Sequence, residues 1–226
     1  MSKQINWKEL SALTGLMLAV VLLWNTWFVY PLKVLVVFFH ELSHGLMAIA
    51  TGGSIQEIQV VAQEGGMCVT AGGNRFLILS AGYLGSLVWG GAILVLATRT
   101  KRDKLIAALM GGILVFTSAR YVRPIQSFGF AFGLLSGAAL IASGVYLGTG
   151  ANDAILKVIG LTSCLYAVLD IKSDIIDRPG PGSDAYFLAQ HTHIPTLFWG
   201  ILWSVIAITG AVYFLLLASR RRGQGA

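Results

Sequence analysis

The chain has 226 residues, of which 56% are apolar and only 12% charged, with a formal net charge of +6 and a mean hydropathy of +0.75. Soluble domains run to about 45–50% apolar and about 25% charged, so this composition excludes an ordinary soluble protein and leaves room for a single membrane domain over residues 1–226. The excess of positive charge does not point to nucleic acid, because Lys and Arg stand at the ends of apolar runs (Arg99–Lys104, Arg220–Arg222), where membrane flanks place them.

A crossing needs about 20 apolar residues. Read in chain order, the apolar segments are 10–30, 33–50, 76–98, 105–122, 125–148, 154–171 and 196–218. The expected fold is therefore an all-α polytopic membrane protein of about seven transmembrane helices, with a small β-hairpin after the second. Lys3 and Lys8 ahead of LTGLMLAVVLLW mimic a signal peptide, but the apolar stretch continues to Tyr30 without a small-x-small cleavage site, which predicts an uncleaved helix. Counting that helix as a full crossing puts Lys3 and Lys8 on the side of Arg75, Arg120, Arg123, Lys172 and Arg178. Lys33, the Arg99–Lys104 group and the C-terminal triplet fall on the other side, and the positive-inside rule then gives no orientation.

The second segment carries the chemistry. His40-Glu41-Leu42-Ser43-His44 interrupts the run between VLVVFF and LMAI, and it is an HExxH pattern. Two His four apart share one helical face and can bind one Zn²⁺, with the Glu beside them as general base. The chain holds four His and four Glu, and three of these eight fall in those five positions. An ionisable group in a membrane helix costs about 2.5–3.5 kcal/mol on insertion scales, so a merely structural Glu41 would be expensive.

Between the second and third segments the period changes to two. Ile58, Val60 and Ala62 alternate with Gln59, Val61 and Gln63, then Glu64-Gly65-Gly66 leads to Met67-Cys68-Val69-Thr70, which predicts a hairpin turning at the glycines. Such strands are too short to form a sheet alone, and an exposed edge could pair with an extended peptide. Gly82, Ser86 and Gly90, and Gly129, Gly133 and Gly137, repeat every four residues and read as helix contacts. Cys68 and Cys164 have no metal spacing.

A hydrolytic zinc takes three protein ligands and keeps a position for water. Glu9, Glu57, Glu64, Asp103 and Asp153 lie in terminal or connecting segments. The other acids form one late cluster: Asp170, Asp174 and Asp177 at helical spacing, then Pro179-Gly180-Pro181-Gly182 and Ser183-Asp184, with His191 and His193 soon after. The second and sixth segments cross in the same direction, so His44 and Asp170 approach the same leaflet. Asp170, behind Tyr166-Ala167-Val168-Leu169, is the acid nearest an apolar helix.

HELSH in an early helix, Thr51-Gly52-Gly53 and a hairpin, a helix opening LILSAGYLGS, and a late Leu169-Asp170 together resemble the site-2 protease family of intramembrane zinc metallopeptidases. The likeness is to its compact B-like branch and covers about residues 33–200. It implies Zn²⁺ held by His40, His44 and Asp170, Glu41 as the catalytic base, and a hairpin that receives a locally unwound helix of a membrane-protein or membrane-peptide substrate. It also implies a multi-pass protein in the lipid bilayer of a prokaryotic plasma membrane. The pattern departs from the family at Ile171, where larger relatives have Gly, and at Tyr83, where Ala-Gly is usually followed by Pro. Ser183-Asp184-Ala185 resembles a feature of the compact branch, and Asp174, Asp184 and His191 remain alternatives to Asp170 or companions of it. The rival reading is a metal-binding membrane protein without proteolysis, a transporter or an inactive protease-like binder, in which Glu41 is a ligand or a structural group.

Overall fold

The computed structural model describes residues 4–177 and 182–220. Its helices are α1 (Trp7–Leu22), α2 (Tyr30–Ala50), α3 (Arg75–Arg99), α4 (Asp103–Tyr121), α5 (Phe128–Tyr146), α6 (Thr149–Lys172), α7 (Asp184–Thr192) and α8 (Thr196–Ala218). Strands β1 (Ser54–Val61) and β2 (Gly65–Ala71) form the hairpin after α2, and a single π-helical turn, Ser173–Asp177, continues α6. Among the described residues, six helices, α2 to α6 and α8, are long and apolar enough to cross a membrane.

Six replaces the expected seven because α1 stops early. Hydropathy continues to Tyr30, but the helix ends at Leu22, and the Thr26 hydroxyl donates to the Leu23 carbonyl at 2.6 Å. Side chains that bond nearby backbone compete with the helix, and Asn25-Thr26 does so where a plain apolar count sees only a continuing run. The next helix starts with Pro31 in its first turn, where a missing N–H costs nothing. Later starts are capped in the same economical way: Asn74 accepts from Leu77 N–H at 3.1 Å, and Ser127 accepts from Phe130 N–H at 3.2 Å.

The central helix is α3, which packs along α2, α6 and α8. Its contact with α6 is made at backbone distance: a Cβ on Gly90 would lie 2.7 Å from both Gly160 O and Cys164 N. The Ser163 hydroxyl also donates to Ser86 O at 2.7 Å. α4 and α5 form a second close pair, where a Cβ on Gly137 would lie 2.7 Å from Gly111 O. Helices in lipid associate through such small-residue contacts, and Gly90 and Gly137 serve packing as expected, whereas Gly82 of the first ladder faces His40 and Asp184 and Gly129 of the second faces Val60 of β1.

The hairpin lies along α2. Its base reaches Gly45, where an added Cβ would meet Ile55, and its tip reaches the start of α2. There the Tyr30 hydroxyl donates to Ala62 O at 2.8 Å, and Lys33 Nζ sits 2.7 Å from Glu64 Oε1. Ile55, Ile58 and Val60 are buried on one face, and Ile58 shares a core with Phe38, Leu114 and Val122. The turn is Ala62–Glu64, with Glu64 at φ 61°, so Gly65 and Gly66 belong to β2 and not to the turn. The outer edge of β1 is closed by a bridge from Ile58 to Val122, with Arg123 N–H donating to Ile58 O at 3.1 Å. The outer edge of β2 has no strand against it among the described residues.

Candidate metal centre

α2 presents His40 and His44 on one face, with ring centroids 4.9 Å apart, and Glu41 beside them. All three are largely or fully buried, and they line a cavity of about 740 Å³ with β2, Asp170 and Asp184. His44 Nδ1 donates to the Ile78 carbonyl of α3 at 2.6 Å. That bond fixes the neutral tautomer, leaving the Nε2 lone pair bare.

Both Nε2 atoms face the same oxygen. Asp184 Oδ2 lies 3.0 Å from His40 Nε2 and 3.1 Å from His44 Nε2. With the His44 proton on Nδ1, its Nε2 and Asp184 Oδ2 meet lone pair to lone pair, an arrangement that a cation between them would relieve. Ligands about 2.0–2.1 Å from a tetrahedral Zn²⁺ stand about 3.3 Å apart, within a few tenths of the distances here. His40, His44 and Asp184 are also the group whose donor atoms all lie within 4.8 Å of one another. The residues present therefore fit a zinc ion.

Asp184 reaches the site because α7 folds back over it. Ser183 caps α7, its hydroxyl accepting from Tyr186 N–H at 3.2 Å, which places Asp184 in the first turn beside the positive helix end.

Asp170, expected as the third ligand, lies on the other side of the ring: its Oδ2 is 3.4 Å from His40 Nδ1. The end of α6 approaches His40 from its Nδ1 side, while α7 occupies the Nε2 side. Asp174 lines the cavity and accepts from the Tyr83 hydroxyl at 2.5 Å. The Tyr83 ring stands edge-on to His40, with centroids 5.6 Å apart. His191 and His193 are exposed at the far end of α7 and do not line the cavity. Asp184 stood in the sequence only as an alternative to Asp170, and the local signal that favours it is that Gly182-Ser183-Asp184 after a Pro-Gly run is a helix start, in a helix too short to register by hydropathy.

Glu41 does not join the His40–His44–Asp184 group. It lies against β2, where a Cβ on Gly66 would be 2.6 Å from its Cγ and Oε1. Only a residue without a side chain lets the strand backbone come this close to the carboxylate. Gly82 of α3 has the same function for the ligands, since a Cβ there would meet His40 Nε2 and Asp184 Oδ2.

No curated protein and no solved structure matches the chain. A family model does: the Peptidase M50B-like model matches residues 13–215, nearly the whole chain. With its HExxH helix, its hairpin and its membrane-spanning helices, the chain belongs to the Peptidase M50B-like family.

Proposed function

We propose that this protein is an intramembrane zinc metallopeptidase that hydrolyses peptide bonds of membrane-spanning substrates. His40, His44 and Asp184 hold the ion, with Asp184 taking the place the sequence assigned to Asp170. A bound zinc ion supplies Lewis acidity, lowering the pKa of a water from 15.7 to about 7 and polarising a carbonyl. Asp184 offsets part of the ion's charge, which two neutral imidazoles cannot do. Asp170 Oδ2 lies 3.4 Å from His40 Nδ1, which has no hydrogen-bond partner among the described residues, and a small approach would let it accept from that nitrogen and keep Nε2 as the ligating one.

Glu41 accepts the proton of the attacking water and passes it to the leaving amine. A substrate helix must unwind first, because its carbonyls are engaged in i to i+4 bonds. The open edge of β2 supplies replacement partners for the freed backbone, which lipid cannot. Non-helical backbone within a membrane is tolerated where it lines a hydrated cavity, and the hairpin borders one.

The observation that carries this reading is Glu41 lying outside the His40–His44–Asp184 group and against the β2 backbone at Gly66, with all of them lining one cavity. It favours a base over a ligand and so a peptidase over a metal carrier. The test is purified protein reconstituted with Zn²⁺ and a transmembrane peptide. Glu41→Gln should keep about one zinc per chain and lose cleavage by about 10²–10⁴-fold. Undiminished cleavage, or zinc flux into vesicles without cleavage, would overturn it.

A further inference from the structure

The catalytic cavity has a floor and two walls. α2 packs against both β2 and α6 and supplies the floor, with Glu41 turned towards β2 and His40 towards Asp170 of α6. On the α6 side the lining residues recur every four positions, at Tyr166 and Asp170, with Asp174 in the π-helical turn beyond. Tyr166 therefore stands one helical turn, about 6 Å, further into the bundle than Asp170. Val37 and Gly65 line the same cavity.

Tyr166 is only 8% exposed, and its hydroxyl bonds to nothing among the described residues. The hydroxyl is not sealed in the core, and the carboxylates whose charge acts on it, Asp170, Glu64, Asp174 and Glu41, all line the cavity. The Tyr166 ring packs on Trp24 of the α1–α2 connection, with centroids 6.1 Å apart, a contact that Phe would make as well. Packing thus accounts for the ring but not for the oxygen, because a buried donor without a partner only costs stability.

An extended peptide on the free edge of β2 engages half of its backbone groups. Successive carbonyls of a strand point to opposite sides, so every second one faces away from β2 and towards α6. In lipid those groups need partners from the protein. Tyr166 is the one hydrogen-bond donor that α6 presents to the cavity among the described residues, Asp170 and Asp174 being carboxylates. Resting on the peptidase reading, we infer that Tyr166 is a catalytic residue whose hydroxyl donates to the carbonyl oxygen of the bond being cut. Attack of water on the carbonyl carbon breaks the C=O π bond and moves its electron pair onto that oxygen. The oxyanion then accepts a shorter and stronger bond from the phenol than the neutral carbonyl does. The phenol keeps its proton throughout, while Glu41 carries a proton of the water to the leaving amine.

Tyr166→Phe keeps the ring on Trp24 and removes only the oxygen. In the zinc-loaded full chain, assayed in detergent with a transmembrane peptide, it should lower kcat by about 10²–10³-fold and change KM by about twofold or less. Zinc content and circular dichroism should not change. Unchanged kcat, or a rise in KM with kcat retained, overturns the inference. A second arm needs no turnover and uses the Glu41→Gln background. There a phosphinic peptide, whose tetrahedral anion imitates the oxyanion, should lose about 10²-fold in affinity on Tyr166→Phe, while the same peptide with an ordinary amide loses about twofold or less. Equal losses for the two ligands, or none, overturn the inference. If the wild type cleaves nothing, the peptidase reading fails by itself, and the phosphinic peptide still decides whether the Tyr166 hydroxyl meets the anion.

Discussion

Replacing Asp184 by Ala separates the ligand set proposed here, His40, His44 and Asp184, from the one with Asp170 that the resemblance implied. Its Oδ2 is 3.0 Å and 3.1 Å from the two imidazole nitrogens, so the substitution removes one of three ligands and the only anionic one. Taking one partner out of a buried charged set costs about 3–5 kcal/mol, which corresponds to roughly 10²–10⁴-fold in zinc affinity. Asp170 acts through His40 Nδ1 at 3.4 Å. Partners of that kind are worth about 10–100-fold, or about 1.4–2.7 kcal/mol, so Asp170→Asn should weaken zinc binding less than Asp184→Ala does. The assay is competition with a chromophoric chelator in detergent at fixed pH, with circular dichroism to verify that each variant retains its helices. If Asp170→Asn costs more affinity than Asp184→Ala, the assignment of Asp184 to the ion is wrong.

Three further outcomes follow from the same geometry. His44→Ala should abolish stoichiometric zinc, read by elemental analysis, while His191→Ala leaves it intact, because His191 does not line the cavity. Gly66→Val should displace the Glu41 carboxylate, since even a Cβ would lie 2.6 Å from it. Peptide cleavage should then fall by about 10²-fold or more with zinc content unchanged, and full activity would show that β2 can retreat. Lys33→Met and Glu64→Gln should each loosen the hairpin tip, and a double-mutant cycle on thermal unfolding in detergent should give a coupling of about 1.5–3 kcal/mol, the range for charged hydrogen bonds. A coupling near zero would mean that the Tyr30–Ala62 bond alone holds the tip.

The sequence made the spanning helices legible because a crossing is written in twenty consecutive residues. It overstated α1 because hydropathy averages over Asn25-Thr26, whose effect on the backbone is local. The hairpin was legible as a period of two, but its turn was misplaced: Gly65-Gly66 resembles turn chemistry, whereas Gly66 is glycine to admit the Glu41 side chain. HELSH was readable because both metal-facing His lie on one helix and their spacing alone puts them together. Asp184 was readable only as an alternative, since its approach depends on how α7 packs after the Pro-Gly run, and no periodicity encodes that tertiary turn. Parity brought Asp170 towards His44's end of the bundle, and its Oδ2 lies 3.4 Å from His40 Nδ1, but parity does not fix which side of an imidazole a carboxylate will face.

The return of α7 makes the ion a structural cross-link as well as a reagent. Nine residues are fewer than the roughly 12–15 at which an isolated helix holds together in water, and α7 buries only Ala185 and Leu188 fully. Its first turn is fastened through Asp184 to α2, across 144 residues of chain. Free energy of zinc binding is thereby also free energy of docking α7, by RT ln(1 + [Zn]/Kd). The wall of the cavity beside the ligands is then the least stable part of the bundle when zinc is scarce and a fixed part of it when zinc is plentiful. On the zinc reading, a chain starved of metal would loosen the wall of its reaction chamber as it lost its reagent, and that wall would be the first place open to proteolysis.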